Sequence, residues 1–503
     1  MACGWRPVHA NDENSPWGDS CSDARPKGKL EAMNSANPYQ YNRRAFLGRY
    51  AGAIGGLALA DLLGSATAQA ATNSGTKVLS APPAGKAKSV ICLFQHGGPS
   101  QMDLFDRKPE LSRLHGQPYP GELETHFHEQ KGNLLGSPFE FRQAGQCGMP
   151  LSELLPHTSR VADDITLVRS MMTESVDHEA ALRLIHNGKI LADRPVMASW
   201  IVYALGTENR DLPAYVVLSD PGGLPIEGVR NWTSGWLPAV FQGTPFRAGG
   251  SPVLHLNTPA GVTAEARRGQ LKLLDELNRD HLLRHQDNTE LEARIANFET
   301  AARMQTAVPE ILDMSRETEA TRRMYGLDDK TTAEYGGRCL LARRLVEQGV
   351  RFVQVFMSGQ PWDTHAKNAE SLRGLCARTD QPCAALVQDL KQRGMLESTI
   401  VLWTGEFGRL PVSQKEDGRD HNRHAFSLWL AGGGFKPGYV HGATDDFGYK
   451  SIEDVVTVHD LHATILAAMG LSHTQLTFPH DGRDDSLTDY DVTKARVIDK
   501  LFA

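Results

Sequence analysis

The chain has 503 residues, of which 40% are hydrophobic and 22% charged, and its formal net charge is −7. This composition is typical of a globular protein with a large core, and it excludes disordered, collagen-like and multi-pass membrane chains. The acidic balance disfavours nucleic-acid binding, which requires a strongly basic domain. Seven cysteines are too few for a disulfide scaffold, whereas 19 histidines are unusually many and several fall near the C-terminus.

The first 70 residues are interpreted as an export signal preceded by an extension. Arg43 and Arg44 stand before an apolar run of about fourteen residues that begins at Ala51, and small residues offer cleavage sites after Ala68 or Ala70. A basic start, a short apolar run and a small-residue exit are typical of a secretory signal. The run is shorter than the ~20 residues that span a bilayer, so we expect no transmembrane segment after signal removal.

The paired arginines make this segment similar to signals read by the twin-arginine export machinery, which implies a folded protein delivered to the periplasm or secreted. The residues before the signal carry no pattern, so Met33 is an alternative start. Residues 71–87 are expected to form a linker, and residues 88–503 to form one α/β domain.

Short apolar runs rich in β-forming residues alternate with amphipathic helical stretches through that domain. This alternation predicts a three-layer α/β/α sheet, covered by helices on both faces. Helices are expected over 178–187, 336–348 and 372–393, and the charged segment 262–325 is expected to form a helical insertion or cap. The predicted strands are 89–94, 164–168, 214–218, 350–357, 398–403 and 426–431.

Polar residues gather where the predicted strands end. Open α/β sheets bind ligands beyond the carboxyl ends of their strands, so residues that follow each strand are candidates for a site. Imidazole and carboxylate groups that converge on one edge are the ligands of a metal site. The candidates are His96, His178, Asp363, His365, Glu406, Asp420, His421 and His424.

Several of these residues carry a more specific signal, although each also fits an ordinary core or surface role. Asp363 and His365 are two residues apart, so in an extended segment they project to one side and suit two ligands on one ion. Glu406 lies between glycines that allow close backbone approach. Arg409 would either hold an oxyanion through its planar guanidinium or form a plain salt bridge. His178, at a predicted helix start, is a candidate ligand or nucleophile.

Taken in order, these segments resemble the alkaline phosphatase and sulfatase superfamily, and more closely the exported bacterial proteins grouped as domain-of-unknown-function family 1501. The resemblance covers roughly residues 88–503. The pieces that carry it are the signal, HGGPSQMDLFDRKPE, WDTH, VLWTGEFGR, GRDHN and the C-terminal VHDLHATILAAMGL…GRDDSLTD.

This resemblance implies an alkaline-phosphatase-like sheet that holds one or two divalent metals against a nucleophile at a helix start. Asp363 and His365 correspond to the Asp/His pair of one metal, and His178 falls near the nucleophile's position. His96 stands where the superfamily has a ligand Asp. The candidate metal ligands are therefore His96, Asp363, His365, Glu406, His421 and His424, and the candidate catalytic residues are His178 and Arg409.

Two departures from the superfamily pattern narrow the expected chemistry. Phe407 replaces a ligand, so we expect a single ion (Zn, Mn, Ca or Fe). No cysteine stands where sulfatases carry a modifiable one, which leaves His178, Ser175 and Thr173 as nucleophile candidates.

The function expected from the sequence is an exported metal-dependent hydrolase of phosphate or sulfate esters, acting on a small-molecule or glycan ester and not on nucleic acid. Two alternatives stay open. One is a non-catalytic protein that binds a surface glycan or a partner on the same fold, and the other is a phosphomutase-like transferase.

Overall fold

The structure is a computed structural model, and it describes residues 85–127, 131–247, 261–285 and 289–503. The predicted signal and nearly all of the predicted linker lie outside these residues. In the described ranges, no helix combines the length and the apolar character needed to cross a membrane.

The predicted apolar runs all form strands, and the corresponding strands are almost completely buried. The strands of the described chain are β1 Ser89–Phe94, β2 Lys131–Leu134, β3 Phe141–Ala144, β4 Met149–Ser152, β5 Ile165–Met172, β6 Tyr215–Leu218, β7 Thr244–Phe246, β8 Phe352–Val355, β9 Thr399–Thr404, β10 Gly408–Gln414, β11 Gly418–Asn422, β12 Phe426–Ala431, β13 Tyr439–His441, β14 Ala443–Thr444, β15 Ser451–Glu453, β16 Val456–Thr457, β17 Phe478–His480 and β18 Arg483–Asp485.

The helices predicted from the sequence also form, with ends that differ by a few residues. Helix α3 begins at His178, as predicted, because the side chain of Asp177 caps it by accepting the N–H of Ala180. The α-helices of the described chain are α1 Gln101–Leu104, α2 Pro109–Arg113, α3 His178–Asn187, α4 Met197–Leu205, α5 Ala264–Arg284, α6 Thr289–Leu312, α7 Glu319–Met324, α8 Ala333–Glu347, α9 Asn368–Gln392, α10 Val458–Ala468 and α11 Tyr490–Thr493.

A nine-stranded, mostly parallel sheet forms the centre of the fold. Its order is β13-β5-β12-β9-β1-β8-β6-β7, and β16 pairs with β5. The strands from β9 to β7 are parallel to one another, whereas β12 runs antiparallel to both of its neighbours. Because β9, β1 and β8 are adjacent and parallel, their carboxyl ends meet at one edge of the sheet.

Helices cover both faces of this sheet, which confirms the predicted three-layer α/β/α class. Ile91 and Leu93 of β1 pack into the core that contains α8 and α9. Val90, Cys92 and Phe94 point to the opposite face, into the core that contains α3, α4 and α10. This alternation follows the two-residue period of a strand, and it explains why β1 is apolar at every position after Ser89.

The segment 262–325 contains helices α5, α6 and α7, so its helical character is confirmed. Its role as an insertion or cap stays a prediction. Helix α5 begins where the Thr263 side chain accepts the N–H of Ala266.

A small antiparallel sheet, which the sequence pattern did not predict, lies beside the carboxyl edge of the central sheet. Its order is β11-β10-β2. In the β10–β11 hairpin Arg409 pairs with His421 and Gly408 pairs with Asn422. The motif GRDHN is therefore a buried strand, and it carries His421 toward the edge where β1, β8 and β9 end.

Candidate metal centre

The candidate residues come from segments that follow strands of the central sheet. His96 follows β1, Asp363 follows β8, Glu406 follows β9 and His178 follows β5. His421 arrives on β11 instead. The fold thus collects polar side chains from five separate parts of the chain at one edge.

Three of these side chains form one group of possible metal ligands. One ligand atom each of His178, Asp363 and His421 lies within 4.8 Å of the others. Oδ1 of Asp363 is 3.4 Å from Nε2 of His178 and 3.2 Å from Nε2 of His421. Nε2 of His365 lies 3.0 Å from the same carboxylate oxygen. This donor set of imidazole nitrogen and carboxylate oxygen fits a divalent metal ion.

Burial and neighbouring charges set the proton affinities in this cluster. Burial lowers the pKa of His421 to about 4, and the positive charge of Arg409 acts in the same direction. Burial also opposes protonation of His178, but hydrogen bonds with Asp363 and Glu406 raise its pKa to about 9. Burial alone would raise the pKa of Asp363, yet the surrounding imidazoles and Arg409 hold it well below its ordinary range. The cluster therefore presents an ionised carboxylate and favours a positive charge beside it.

The imidazole rings of His178, His365 and His421 each bond through Nδ1 to an oxygen atom. Histidines that bind metals usually make such a bond through the ring nitrogen that does not face the ion. The three pairs are His178 with Oε1 of Glu406 at 2.7 Å, His421 with the carbonyl of Val176 at 2.6 Å, and His365 with Oε1 of Gln414.

Glu406 is fully buried and links the cluster to a glycine turn. Its Oε1 accepts the N–H of Gly97 at 2.8 Å as well as the proton of His178 Nδ1. Gly97 has a φ of 109°, and a Cβ atom there would lie 2.3 Å from the backbone nitrogen of Asp363. Only glycine allows this close approach, so the turn after β1 and the segment after β8 are brought together by the absence of a side chain.

Arg409 contacts the protein itself. Its buried guanidinium donates to four backbone carbonyls, among them that of Gly98 at 2.8 Å, and to Oδ1 of Asp363 at 2.6 Å. These contacts include the salt bridge that the sequence offered as one alternative, and they orient Asp363 and hold the glycine turn; the oxyanion role stays a prediction.

His96 and His424 join neither of the ligand groups found among the described residues. His96 is buried between Phe94 and Phe356, with ring centroids 4.6 Å and 5.0 Å away, and neither ring nitrogen has a hydrogen-bond partner. Burial lowers its pKa well below the ordinary value. Nε2 of His424 bonds instead to Glu124 at 2.8 Å. The sequence could not separate these two from the cluster, because both also lie near strand ends.

Asp420 holds a loop that sequence reasoning missed. Its Oδ2 accepts the backbone N–H groups of His126 and Phe127, each at 2.9 Å. The ring of His126 stacks on His421 with centroids 5.0 Å apart, and the ring of Phe127 lies 5.3 Å from His365. The loop thus covers two of the candidate ligands. From the sequence, His126 was only a weak candidate for a site residue, since no predicted strand precedes it.

Phe407 forms an apolar wall on another side of the cluster. Its ring centroid lies 4.7 Å from that of His178 and 4.6 Å from that of His421. Gly98, with a φ of 73°, leaves room for this ring, because a Cβ atom there would lie 2.6 Å from Phe407 Cδ2. The position that the superfamily resemblance assigned to a second ligand is thus occupied by a packed side chain.

A buried ion pair supports the strand that carries His421. Nε and Nη2 of Arg419 donate to the two carboxylate oxygens of Asp103 at 2.8 Å and 3.1 Å, and both side chains are fully buried. Ser100 and Asn368 also donate to Asp103, at 2.6 Å and 3.0 Å. Burial alone would raise the pKa of Asp103, but the charge and hydrogen bonds of Arg419 lower it.

Comparison with known proteins places the chain in a defined sequence family. The family described as "Protein of unknown function (DUF1501)" matches residues 87–502, in agreement with the resemblance found in the sequence. No curated protein matches the chain.

Remote similarity extends to several solved structures. A protein in the alkaline phosphatase superfamily from Vibrio parahaemolyticus is 9% identical, with a TM-score of 0.32 over 78% of this chain and 68% of that chain. PsFucS1 sulfatase from Pseudoalteromonas sp. is 13% identical, with a TM-score of 0.32 over 76% and 68%. Phosphonate monoester hydrolase SpPMH from Silicibacter pomeroyi is 12% identical, with a TM-score of 0.33 over 82% and 78%.

Proposed function

Since the chain belongs to the DUF1501 family and carries a buried His/Asp cluster, we propose that it is an exported, metal-dependent hydrolase of phosphate or sulfate esters. The observation that carries the proposal is the convergence of His178, Asp363 and His421 within 4.8 Å at the carboxyl edge of the sheet. A divalent ion bound there would polarise an ester oxygen and so favour attack at phosphorus or sulfur.

The surrounding residues have distinct tasks in this proposal. Arg409 keeps Asp363 oriented, and Glu406 fixes the ring of His178. Phe407 excludes water from one side of the cluster. His126 is exposed and stacks on His421, so it is placed to meet a substrate that enters the cluster.

Water is the nucleophile that we propose. The hydroxyl of Ser175 accepts the N–H of Asp177 at 3.0 Å and so belongs to the turn that begins α3. Thr173 is buried at the end of β5, and its hydroxyl has no hydrogen-bond partner. Neither side chain is part of the ligand groups. Water adds to phosphorus or sulfur, and the ester oxygen leaves with a proton.

The alternative function is a non-catalytic protein that binds a glycan or a partner. Two observations favour it, namely the packed Phe407 and the engagement of Arg409 by backbone carbonyls and Asp363. A cluster that binds a metal without ester hydrolysis would fit this alternative.

Export through the twin-arginine machinery to the periplasm or the medium is also part of the proposal. It rests on Arg43, Arg44 and the apolar run that follows, all of which lie outside the described residues.

A paired-variant assay tests the hydrolase proposal. Purified protein, stripped with chelator and reloaded with Zn, Mn, Fe or Ca, is offered p-nitrophenyl phosphate and p-nitrophenyl sulfate. We expect hydrolysis of at least one ester, a loss of roughly 100-fold or more in His421→Ala, and near wild-type rates in His424→Ala. If the folded, metal-loaded protein hydrolyses neither ester, the binding alternative replaces the hydrolase. Equal activity in the two variants would remove the cluster from the mechanism.

A further inference from the structure

A short loop lies over the cluster at the carboxyl edge of the sheet. Residues 121–127, called the strap below, belong to no helix or strand. The ring of His126 stacks on His421 with centroids 5.0 Å apart, and the ring of Phe127 lies 5.3 Å from His365. Both strap side chains are also exposed. A segment that touches the cluster with one side and solvent with the other has the position of a cover.

The cluster below the strap is almost closed to solvent. The side chains of His421, His178 and Asp363 are 3%, 9% and 13% exposed. Phe407 and Arg409, which wall the cluster on other sides, are fully buried in the fold. Exposed segments with few buried contacts open at a lower free-energy cost than the core does. The strap is therefore the wall that moves most readily.

Side chains, and not the main chain of a neighbouring strand, hold three N–H groups of the strap. The N–H of Glu124 donates to the hydroxyl of Tyr449 at 3.0 Å. The N–H groups of His126 and Phe127 both donate to Oδ2 of Asp420 at 2.9 Å. Each acceptor can be removed by one substitution, whereas the acceptors of a β-ladder cannot.

The start of the strap is held in a different way from its tip. The ring of Tyr119, just before the strap, lies 5.3 Å from that of Phe447 and 5.9 Å from that of Tyr449. Tyr119 and Leu123 pack against the same small apolar core. Apolar packing thus holds the start of the strap, and hydrogen bonds hold its tip, so the tip can lift while the start stays packed.

We propose that the strap is a gate over the site, held closed by Tyr449 and Asp420, and that its tip must lift before a substrate can reach Asp363 and His421. Asp420 is the main latch, because one carboxylate oxygen accepts two N–H groups of the tip. The inference rests on the proposed function for what passes the gate. The gate itself can be tested without a metal ion or an ester.

Hydrogen exchange of the full-length protein, followed by mass spectrometry of its peptides, measures how often the strap lifts. We expect the amides of His126 and Phe127 to exchange about 10- to 100-fold faster in Asp420→Asn than in the parent, because bonds to a charged acceptor are lost or weakened. In Tyr449→Phe, which keeps the ring, the amide of Glu124 should exchange about 3- to 10-fold faster.

A second loop of the chain provides the matched control. The two carboxylate oxygens of Asp163 accept the N–H groups of Gln146 and Cys147, each at 2.8 Å, between β3 and β4. Asp163→Asn should speed exchange at those two amides and leave the strap unchanged. Asp420→Asn should do the opposite.

Carbethoxylation by diethyl pyrocarbonate measures whether lifting of the strap exposes the site. His421 should be modified about tenfold or more faster in Asp420→Asn, in proportion to the open population. His480, which is 32% exposed, should keep the rate of the parent. Because Asp420 also accepts the N–H of His421, Tyr449→Phe is the second variant, and it should speed modification of His421 about threefold.

Unchanged exchange of the strap amides in folded Asp420→Asn and Tyr449→Phe would overturn the inference. Faster exchange without faster modification of His421 in either variant would also overturn it, because the strap would then not limit access. A protein that shows the gate but hydrolyses no ester keeps this inference and loses the proposed function. Ester hydrolysis by a protein whose strap ignores both substitutions does the reverse.

Discussion

The buried Asp103–Arg419 pair offers a quantitative test of how the site is supported. Replacing Asp103 by Asn keeps the shape but leaves the Arg419 charge without its counter-ion in a fully buried position. Breaking a buried ion pair in this way costs about 3–5 kcal/mol, because the remaining charge cannot reach water. The exposed Glu110–Arg113 pair, in which Arg113 is 65% exposed, is the matched comparison, and Glu110→Gln should leave the free energy of unfolding almost unchanged.

Urea unfolding measures this difference in the parent and in Asp103→Asn and Glu110→Gln. The same measurement on Asp103→Leu, Arg419→Met and the double variant Asp103→Leu/Arg419→Met completes a double-mutant cycle. The double variant removes both charges, so it should cost less than the sum of Asp103→Leu and Arg419→Met by about 3 kcal/mol or more. Since Arg419 precedes Asp420 and His421 on β11, Asp103→Asn should also weaken metal binding. An Asp103→Asn variant no less stable than Glu110→Gln would refute the reasoning, since it would mean that the Arg419 charge reaches solvent without cost.

Three further predictions concern a glycine, a buried histidine and the paired arginines. Gly98→Ala should destabilise the protein by about 2–4 kcal/mol in urea unfolding, because the φ of 73° at Gly98 disfavours a side chain and the new Cβ would lie 2.6 Å from the Phe407 ring. An unchanged urea midpoint would contradict this packing. Burial lowers the pKa of His186 to about 4, so the contribution of the neutral ring to stability is complete above pH 6.5 and is lost as the pH falls toward 4. His186→Gln should therefore reduce the fall in the free energy of unfolding between pH 7 and pH 4 by up to about 3 kcal/mol. Parallel curves of unfolding free energy against pH for parent and variant would contradict this assignment. Replacing Arg43 and Arg44 by Lys should leave the protein in the cytoplasm with its signal attached, as measured by fractionation and intact mass; normal export of the variant would remove the twin-arginine route.

The sequence predicted the central sheet well because its strands are short, apolar runs separated by helices of clear period. β1 is buried at all six positions, as expected for a short apolar strand that is covered on both faces. The rule that ligands gather at the carboxyl ends of parallel strands then placed Asp363 and Glu406 near each other before any geometry was known.

The rest of the site depends on contacts that no local pattern encodes. His421 and His424 are three residues apart in one polar segment, yet β11 directs the first into the cluster and the second toward Glu124. The sequence left Arg409 open between an oxyanion ligand and a salt bridge, because its contacts with distant backbone carbonyls and with Asp363 depend on the fold. The loop with His126 carries no periodic signal, and its position is set by a single carboxylate far away in the chain.

The spacing of the cluster along the chain has a consequence for how the protein is made. The first histidine of the cluster is residue 178 and the last is residue 421 of 503, so a ribosome must finish most of the message before the cluster can exist. Chains that end before His421 therefore lack one member of the cluster. The ion that we propose would therefore bind late, and it would stabilise the folded chain by about 2.7 kcal/mol when the free ion is at a hundred times its dissociation constant. Under the export of a folded chain that we propose, the bound ion would be a mark of completed synthesis.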